Sequence, residues 1–382
     1  MAHDLPTPTT ALSRHEARLR VLLFSDLQLD RPYEWASRAI AKSRREAGRQ
    51  AFVDMLSEAR RQSVDVIACA GNLFNRHTVK PANMQWLATA FRSTSIPIFI
   101  APGNEDHIGP VGGYTQYEWP DNVRIFESGR LTPVEIIDGV TIWGAAHTAA
   151  HRSASFLDQV HVDRPGVNLA FFHGAEIGGR EREPQLEACA SFAETDIDHA
   201  GFDHALVGHY SQAHFGRVHT YPGAPLTHTF GSGSSGGAII VTLTCEGSIE
   251  REFLPISSPE LHEIDVDLTG ARSRQDVLER IQAQVGGRSG VLRISLSGRL
   301  SPDVVLQHQD LAQVVRAADE IIVAWQATAD LDLEQLFDER TIRGQFARDV
   351  LSSKKLPEDR KQRVLLVGLR ALSGHQELDG PR

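Results

Sequence analysis

Cysteine is scarce in this 382-residue chain: Cys69, Cys189 and Cys245 are far apart and odd in number. They form no C-x-x-C pair, so the spacing suggests neither a disulfide framework nor a thiolate zinc site, and a reducing cytosol is the natural compartment. Nowhere is there an uninterrupted apolar run of ~18–20 residues for a membrane span. The polar stretch Met1–Ala17 lacks the apolar block of a signal peptide, and a disordered start over residues 1–18 is expected. These absences predict a soluble, cytoplasmic protein with no membrane association. Positive charge is also in deficit, with 39 Lys+Arg against 49 Asp+Glu and a formal net charge of -10, which excludes wholesale electrostatic coating of nucleic acid and leaves room only for a local basic patch. Hydrophobic residues at 41% and charged residues at 23% exclude a disordered or collagenous chain.

What is present from Leu19 onward is a recurring unit, a short apolar run followed by a loop rich in Gly, Asp, Asn or His. Such runs predict buried strands with loops at their C-terminal ends. They are Val21–Phe24 before Asp26 and Gln28, Val66–Cys69 before Gly71-Asn72-Leu73-Phe74-Asn75, Ile96–Ile100 before Gly103-Asn104-Glu105-Asp106, Leu169–Phe172 before His173, and Ala205–Val207 before Gly208-His209. Between them, Phe52, Met55, Leu56 and Ala59, then Met84, Leu87 and Phe91, recur at helical spacing and give each helix one apolar face. Strand–helix–strand order predicts an α/β layer structure with ligands at the carboxyl ends of the strands.

Beyond His209 the texture changes. The Gly/Ser run from Gly231 to Gly237 lacks the following Lys-Ser/Thr of a P-loop and reads as a hairpin loop before a strand at Ala238–Leu243. A boundary near Ser257-Ser258-Pro259 separates this region from strand-like pieces at Ile264–Leu268, Val291–Leu296 and Ile321–Trp325, interleaved with helical ones. From Leu331 to Leu372 two amphipathic helices are expected, one with Ile342, Phe346 and Val350 on a face, the other with Leu365, Leu369 and Leu372, broken at Pro357.

The ordered set D-x-Q, G-N-L-F-N, G-N-E-D, F-F-H-G and G-H-Y-S resembles the calcineurin-like metallophosphoesterase superfamily, whose motifs run D-x-H, G-D-x-x-D, G-N-H-D, H and G-H-x-H. Ala101-Pro102-Gly103-Asn104, the turn Tyr221-Pro222-Gly223-Ala224-Pro225 and the tail around Thr341–Phe346 are similar to the SbcD-type DNA nucleases and, more narrowly, to their YhaO-like exonuclease branch. The resemblance implies a four-layer β-sandwich flanked by helices over residues 19–257, a small α+β cap over 258–330, and a helical partner-docking tail over 331–382. It also implies two divalent ions that activate a water and clamp a phosphodiester.

Carried over one position at a time, the ligands are depleted. Asp26, Asn104, His173 and His209 match the family, but Gln28 stands for its first histidine, Asn72 for the bridging aspartate and Ser211 for the last histidine, while Glu105 replaces the histidine assigned to the leaving group. One ion's ligands thereby become Asp26, Gln28, Asn72 and Ser211, and the other's Asn72, Asn104, His173 and His209. Repulsion between two doubly charged ions ~4 Å apart is then poorly compensated. At most one ion, Mn²⁺ or another divalent metal, is expected, or none. His77, His107, His204 and His214 lie near the motifs in sequence as candidate replacements.

The cluster Arg38, Lys42, Arg44, Arg45 and Arg49 offers contacts to DNA phosphates, with a solvated helix face as the plain alternative. In SbcD-type proteins the C-terminal helices dock on an SbcC-type SMC-like ATPase, so Ile342, Phe346, Val350, Leu365 and Leu369 are the expected docking residues, within a homodimer-based heterotetramer. The leading expectation is a weakened or inactive nuclease serving as a DNA-binding scaffold in repair or defence. The alternatives are an active Mn²⁺-dependent exo- or endonuclease with a rearranged site, and a hydrolase of small phosphoesters.

Overall fold

The computed structural model describes residues 17–374 apart from 110–112, 152–153, 182, 185, 232–236, 245–246, 258, 302–303, 305, 307–309, 312–313 and 331. Residues 1–16 of the expected disordered start, Cys245 and most of the Gly/Ser run therefore lie outside the described residues, while Ala17 and Arg18, the last two of that start, belong to a strand. The chain forms two compact units, Met1–Pro259 and Glu260–Arg382.

The first unit is built on two six-stranded sheets. One has the order β12 (Ile249–Pro255), β11 (Gly237–Thr244), β1 (Ala17–Phe24), β2 (Val66–Cys69), β3 (Ile98–Ile100) and β4 (Val123–Ile125). The other has the order β5 (Thr132–Ile137), β6 (Val140–Gly144), β7 (Val167–His173), β8 (His204–Gly208), β10 (His219–Tyr221) and β9 (His214–Phe215). Strand alternation explains the layering. In β1, Leu19, Val21 and Leu23 join Val140, Ile142, Leu169 and Phe171 of the opposite sheet in one apolar layer. Leu22 and Phe24 point the other way, onto Phe52, Met55 and Leu56 of α1 (Arg38–Arg61) and Met84, Leu87 and Phe91 of α2 (Pro81–Arg92). A third cluster joins the outer face of β7 and β8 to α3 (Glu194–Ala200), through Phe172, Val207 and Ile197. The result is the four-layer helix–sheet–sheet–helix arrangement that the motif order implied.

β1, β2 and β3 run parallel in the first sheet, and β6, β7 and β8 in the second. The motif loops leave from the carboxyl ends of five of these strands. The hairpin of β5 and β6 turns on Asp138-Gly139, with Gly139 at φ 66°. Asp-Gly is a strong hairpin dipeptide because its glycine accepts the positive φ of such a turn.

In the second unit β13 (Leu261–Asp267), β14 (Gly290–Ser297) and β16 (Ala318–Trp325) form a parallel sheet, crossed by α4 (Arg274–Val285). β15 (Arg299–Leu300) pairs with β17 (Thr328–Ala329). Among the described residues three helices follow instead of the expected two: α5 (Leu333–Asp338), α6 (Ile342–Ser352) and α7 (Glu358–Leu372). Pro357 precedes the last of these as its N-cap, where its missing N–H costs nothing. Val350, Leu365 and Leu369 are buried together with Ala347, and Phe346 packs against them. These four expected docking residues are thus spent on the unit's own core, because each sits on the inward stripe of its helix. Of the expected set only Ile342 is freely presented, at 76% exposure, and Leu333 and Phe337 are exposed as well. Among the described residues no helix is long and apolar enough to cross a membrane.

Candidate metal centre

Five strand ends converge because their backbones pair across loops. The Asp26 N–H donates to the Gly71 carbonyl at 3.0 Å, Gln28 N–H to the Asn72 carbonyl at 2.9 Å, and Gly174 N–H to the Gly208 carbonyl at 3.1 Å. Such close packing demands glycine. A Cβ on Gly208 would sit 2.0 Å from the Ala70 carbonyl oxygen, and one on Gly103 would sit 2.4 Å from Asn72 Oδ1. The price of the convergence is left-handed or otherwise unfavourable backbone at Asp26 (φ 55°), Gln28 (48°), Asn72 (55°) and His209 (139°), the strain typical of functional loops.

Asn72 occupies the middle. Its Nδ2 lies 2.9 Å from Asp26 Oδ1, 3.2 Å from Asn104 Oδ1 and 3.2 Å from His173 Nε2. Its Oδ1 accepts the Glu105 N–H at 2.9 Å, which fixes the orientation of the amide. The lone pairs that would address a bridged metal pair therefore converge on an NH₂ group. Asp26 is buried, and its second oxygen accepts the His209 N–H at 3.1 Å. Burial pushes its pKa up, with His209 nearby as the largest opposing influence.

The other substituted positions are likewise committed. The Gln28 side-chain oxygen accepts from Arg31, three residues on. Ser211 donates its backbone N–H and its hydroxyl to Glu183, a buried carboxylate whose other oxygen takes the Gln212 N–H at 3.0 Å. Glu105 accepts from Asn75 Nδ2 at 2.9 Å and does not turn inward to supply a second charge. Asp106 organises the frame beneath the site: buried, it accepts from the N–H groups of Asn72, Leu73 and Gly103 and from the Tyr114 hydroxyl at 2.6 Å, and burial raises it to about 6.

His173 and His209 lie together with ring centroids 5.3 Å apart and planes near perpendicular. His173 Nδ1–H donates to the Ala70 carbonyl at 2.8 Å, which places the free lone pair on Nε2. Burial lowers both rings to about 3, so both are neutral at physiological pH. Of the candidate replacement histidines, His77 is exposed, His107 Nδ1 donates to the Asn104 carbonyl at 2.9 Å, His204 bonds Thr220 at 2.8 Å and His214 lies beside His219 with the rings tilted at 46°. The cluster of potential ligands found among the described residues is a different one, His173, His209 and Cys189, whose ligand atoms all lie within 4.8 Å of one another. Sequence reasoning passed over Cys189 because it follows no motif. It also missed Glu183, and His228, whose Nε2–H holds the Asp26 carbonyl at 2.9 Å.

A two-ion centre does not fit these residues. Asp26 is the single carboxylate directed inward among the matched positions, and Gln28, Ser211 and Glu105 are bonded elsewhere. One ion on the histidine side fits the neutral, partly unsatisfied donors there.

The cationic cluster on α1 divides in two. Arg38, Lys42, Arg45 and Arg49 recur on its exposed or half-buried side, with Lys42 paired to Glu46 at 3.7 Å and Arg49 bonded to Asn83 at 3.4 Å. Arg44 faces inward and is corrected from a DNA contact to a structural anchor. It is buried, lies over the rings of Tyr33 and Trp35 at 5.3 and 5.7 Å, and donates to the carbonyls of Thr227 and Pro259.

Comparison with known proteins agrees with this frame. The chain is 26% identical over 278 residues to the uncharacterized metallophosphoesterase YhaO of Bacillus subtilis, covering 68% of this chain and 65% of that protein. It is 26% identical over 271 residues to the DNA double-strand break repair protein Mre11 of Methanopyrus kandleri, covering 63% of this chain and 58% of that protein. The matches thus span less than two thirds of either relative's length. Among solved structures, TT1561 of Thermus thermophilus is similar at TM-score 0.36 and 13% identity, covering 62% of this chain and 98% of that one. The sequence profile of the calcineurin-like phosphoesterase covers residues 19–209, half of the chain, and takes in four motif loops and the fifth as far as His209. This chain belongs to the calcineurin-like phosphoesterase family.

Proposed function

We propose that this chain is a DNA-handling member of the family in which two-metal hydrolysis is weakened or lost, retained in the cytoplasm as a scaffold that binds DNA and docks an SMC-like ATPase in repair or defence. Family membership implies divalent metal binding. The observation that carries the proposal is the Asn72 amide, which occupies the bridging position and donates toward Asp26, Asn104 and His173. An amide supplies neither the negative charge nor the two shared oxygens that a metal pair needs. Similarity to a DNA double-strand break repair protein supports DNA as the partner, and the outer row Arg38, Lys42, Arg45 and Arg49 supplies phosphate-binding charge on an otherwise acidic chain. For the ATPase, the exposed apolar residues Leu333, Phe337 and Ile342 replace the buried residues first expected. Assembly as a homodimer within a heterotetramer follows from the same reading.

The test is incubation of purified protein with linear duplex DNA and Mn²⁺, with binding measured in parallel. The expected result is DNA binding that weakens with salt and little or no degradation. Degradation that disappears in His173→Ala or His209→Ala would overturn the proposal in favour of an active Mn²⁺-dependent nuclease. The rearranged-site nuclease requires Glu105 or another histidine to supply the lost ligands, and their hydrogen bonds to Asn75, Asn104 and Thr220 do not favour it.

A further inference from the structure

We infer that the histidine side of the pocket has been rebuilt as a mononuclear site for a soft divalent cation, zinc being the best match, with Cys189 as a ligand beside His173 and His209. Cys189 belongs to none of the motif loops, yet the backbone brings it to them. Its carbonyl accepts the Ala175 N–H at 2.8 Å, and Ala175 in turn accepts from Phe192 at 3.1 Å, so the segment around Cys189 is stitched to the chain just after His173. The thiol is buried, and Sγ lies 3.5 Å from His209 Nδ1. Metal–sulfur and metal–nitrogen bonds of tetrahedral zinc place two such ligand atoms about 3.5 Å apart, so little movement is needed to seat an ion between them.

A second observation points the same way. Among the described residues, His209 Nε2 is buried without a hydrogen-bond partner, and Nδ1 has only the sulfur. Coordination through Nδ1 would replace that one weak partner with a metal–nitrogen bond and keep the proton on Nε2. His173 carries the outer hydrogen bond typical of metal-bound histidine, Nδ1–H to the Ala70 carbonyl, leaving Nε2 as the donor atom. Thiolate and imidazole are the ligand types that select zinc over manganese. Charge also closes: one thiolate and Asp26 match one doubly charged ion, where two ions would be left uncompensated. On binding, the metal–sulfur bond forms as the thiol proton leaves to solvent.

The inference shares with the proposed function the premise that the pocket is too poor in carboxylate for two ions, and one experiment separates the two. The full chain, freed of metal by chelator, is titrated with Co²⁺, whose thiolate complexes absorb in the near ultraviolet. The expected result is one Co²⁺ per chain with a sulfur-to-cobalt charge-transfer band, displaced by Zn²⁺. Cys189→Ser is expected to abolish the band and weaken Zn²⁺ binding roughly tenfold or more, while His173→Ala abolishes uptake. One Co²⁺ without the band, or no uptake at all, overturns the sulfur site and leaves the scaffold reading intact. Two Co²⁺ without the band overturn both. If Cys189→Ser does not fold, alkylation of the wild-type thiol decides: Zn²⁺ is expected to protect Cys189, and labelling at the same rate with and without Zn²⁺ overturns the inference.

Discussion

The two halves of the pocket differ in how they replace what the family pattern calls for. On the Asp26 side the substituted residues apart from the shared Asn72 have each acquired a partner, Gln28 with Arg31 and Ser211 with Glu183, as has Glu105 with Asn75 at the leaving-group position. On the histidine side the imidazoles persist, and their lone pairs meet an amide hydrogen at His173 and a thiol at His209. The first half has been rewritten as ordinary protein structure, so restoring one ligand there must first break a new bond. The second half keeps its metal chemistry latent. The substitutions therefore fall unevenly: of the family positions, the side that depends on charge keeps Asp26 alone, and the side that depends on neutral imidazole keeps His173 and His209.

Acid gives the largest way to break this contrast. His173, His204, His209 and His228 are buried and held near 3, whereas unfolded histidine protonates near 6.5. Their contribution to stability is full above pH 6.5 and is lost as pH falls toward 3, at about 5 kcal/mol per pH unit for four rings. Asp106, raised to about 6, acts in the opposite sense and offsets about 1 kcal/mol per unit while pH falls from about 6 to 4. Melting temperatures at pH 7.5, 6 and 5 are expected to fall steeply, and bound Zn²⁺ is expected to move the loss to lower pH. A flat profile to pH 5 would contradict the burial assigned to these rings.

Next in size is Asn72→Asp. It sets a second buried carboxylate against Asp26 Oδ1, where a hydrogen bond of 2.9 Å now lies. Without metal the fold is expected to lose about 3 kcal/mol, or about 5–10 °C in melting temperature, and Mn²⁺ is expected to return part of it. Equal stability with and without metal would show that Asn72 is not at the bridging position.

The outline of this site was legible in sequence, and its wiring was not. Apolar runs such as Val66–Cys69 and Ala205–Val207 betray buried strands, and β2 and β8 follow them closely, so the loops bearing Asn72 and His209 were placed at strand ends from hydrophobicity alone. What Asn72 touches depends on Asp26, Asn104 and His173, which come from three other loops 46, 32 and 101 residues away. No local pattern encodes that meeting. Cys189 and Glu183 were invisible for the same reason, since they reach the pocket from an irregular segment without a periodic signal. In α1 the helical repeat was readable but its phase was not: Arg44 lies among Ala41, Gly48 and Phe52 on the inner face, while Arg45 stays half-exposed.

Smaller effects sharpen the comparison further. Gln28→His restores a family ligand on the rewritten side, and the expected outcome is a loss of about 1 kcal/mol from the broken Arg31 bond with no gain in metal bound per chain. An added equivalent of metal in that variant would show the first half to be as latent as the second. On α1, removing Arg38, Lys42 or Arg45 is expected to lower the salt dependence of DNA binding by about 1 in log–log slope for each phosphate that is no longer neutralised. Arg44→Ala is expected to lower the melting temperature and leave that slope unchanged.

The most direct test of the central claim is the metal content of the full chain after equilibration with excess Mn²⁺ or Zn²⁺ and removal of unbound ion, measured by elemental mass spectrometry. At most one ion per chain is predicted, with zinc preferred over manganese. Two ions per chain, accompanied by Mn²⁺-dependent cleavage of linear duplex DNA, would contradict the account.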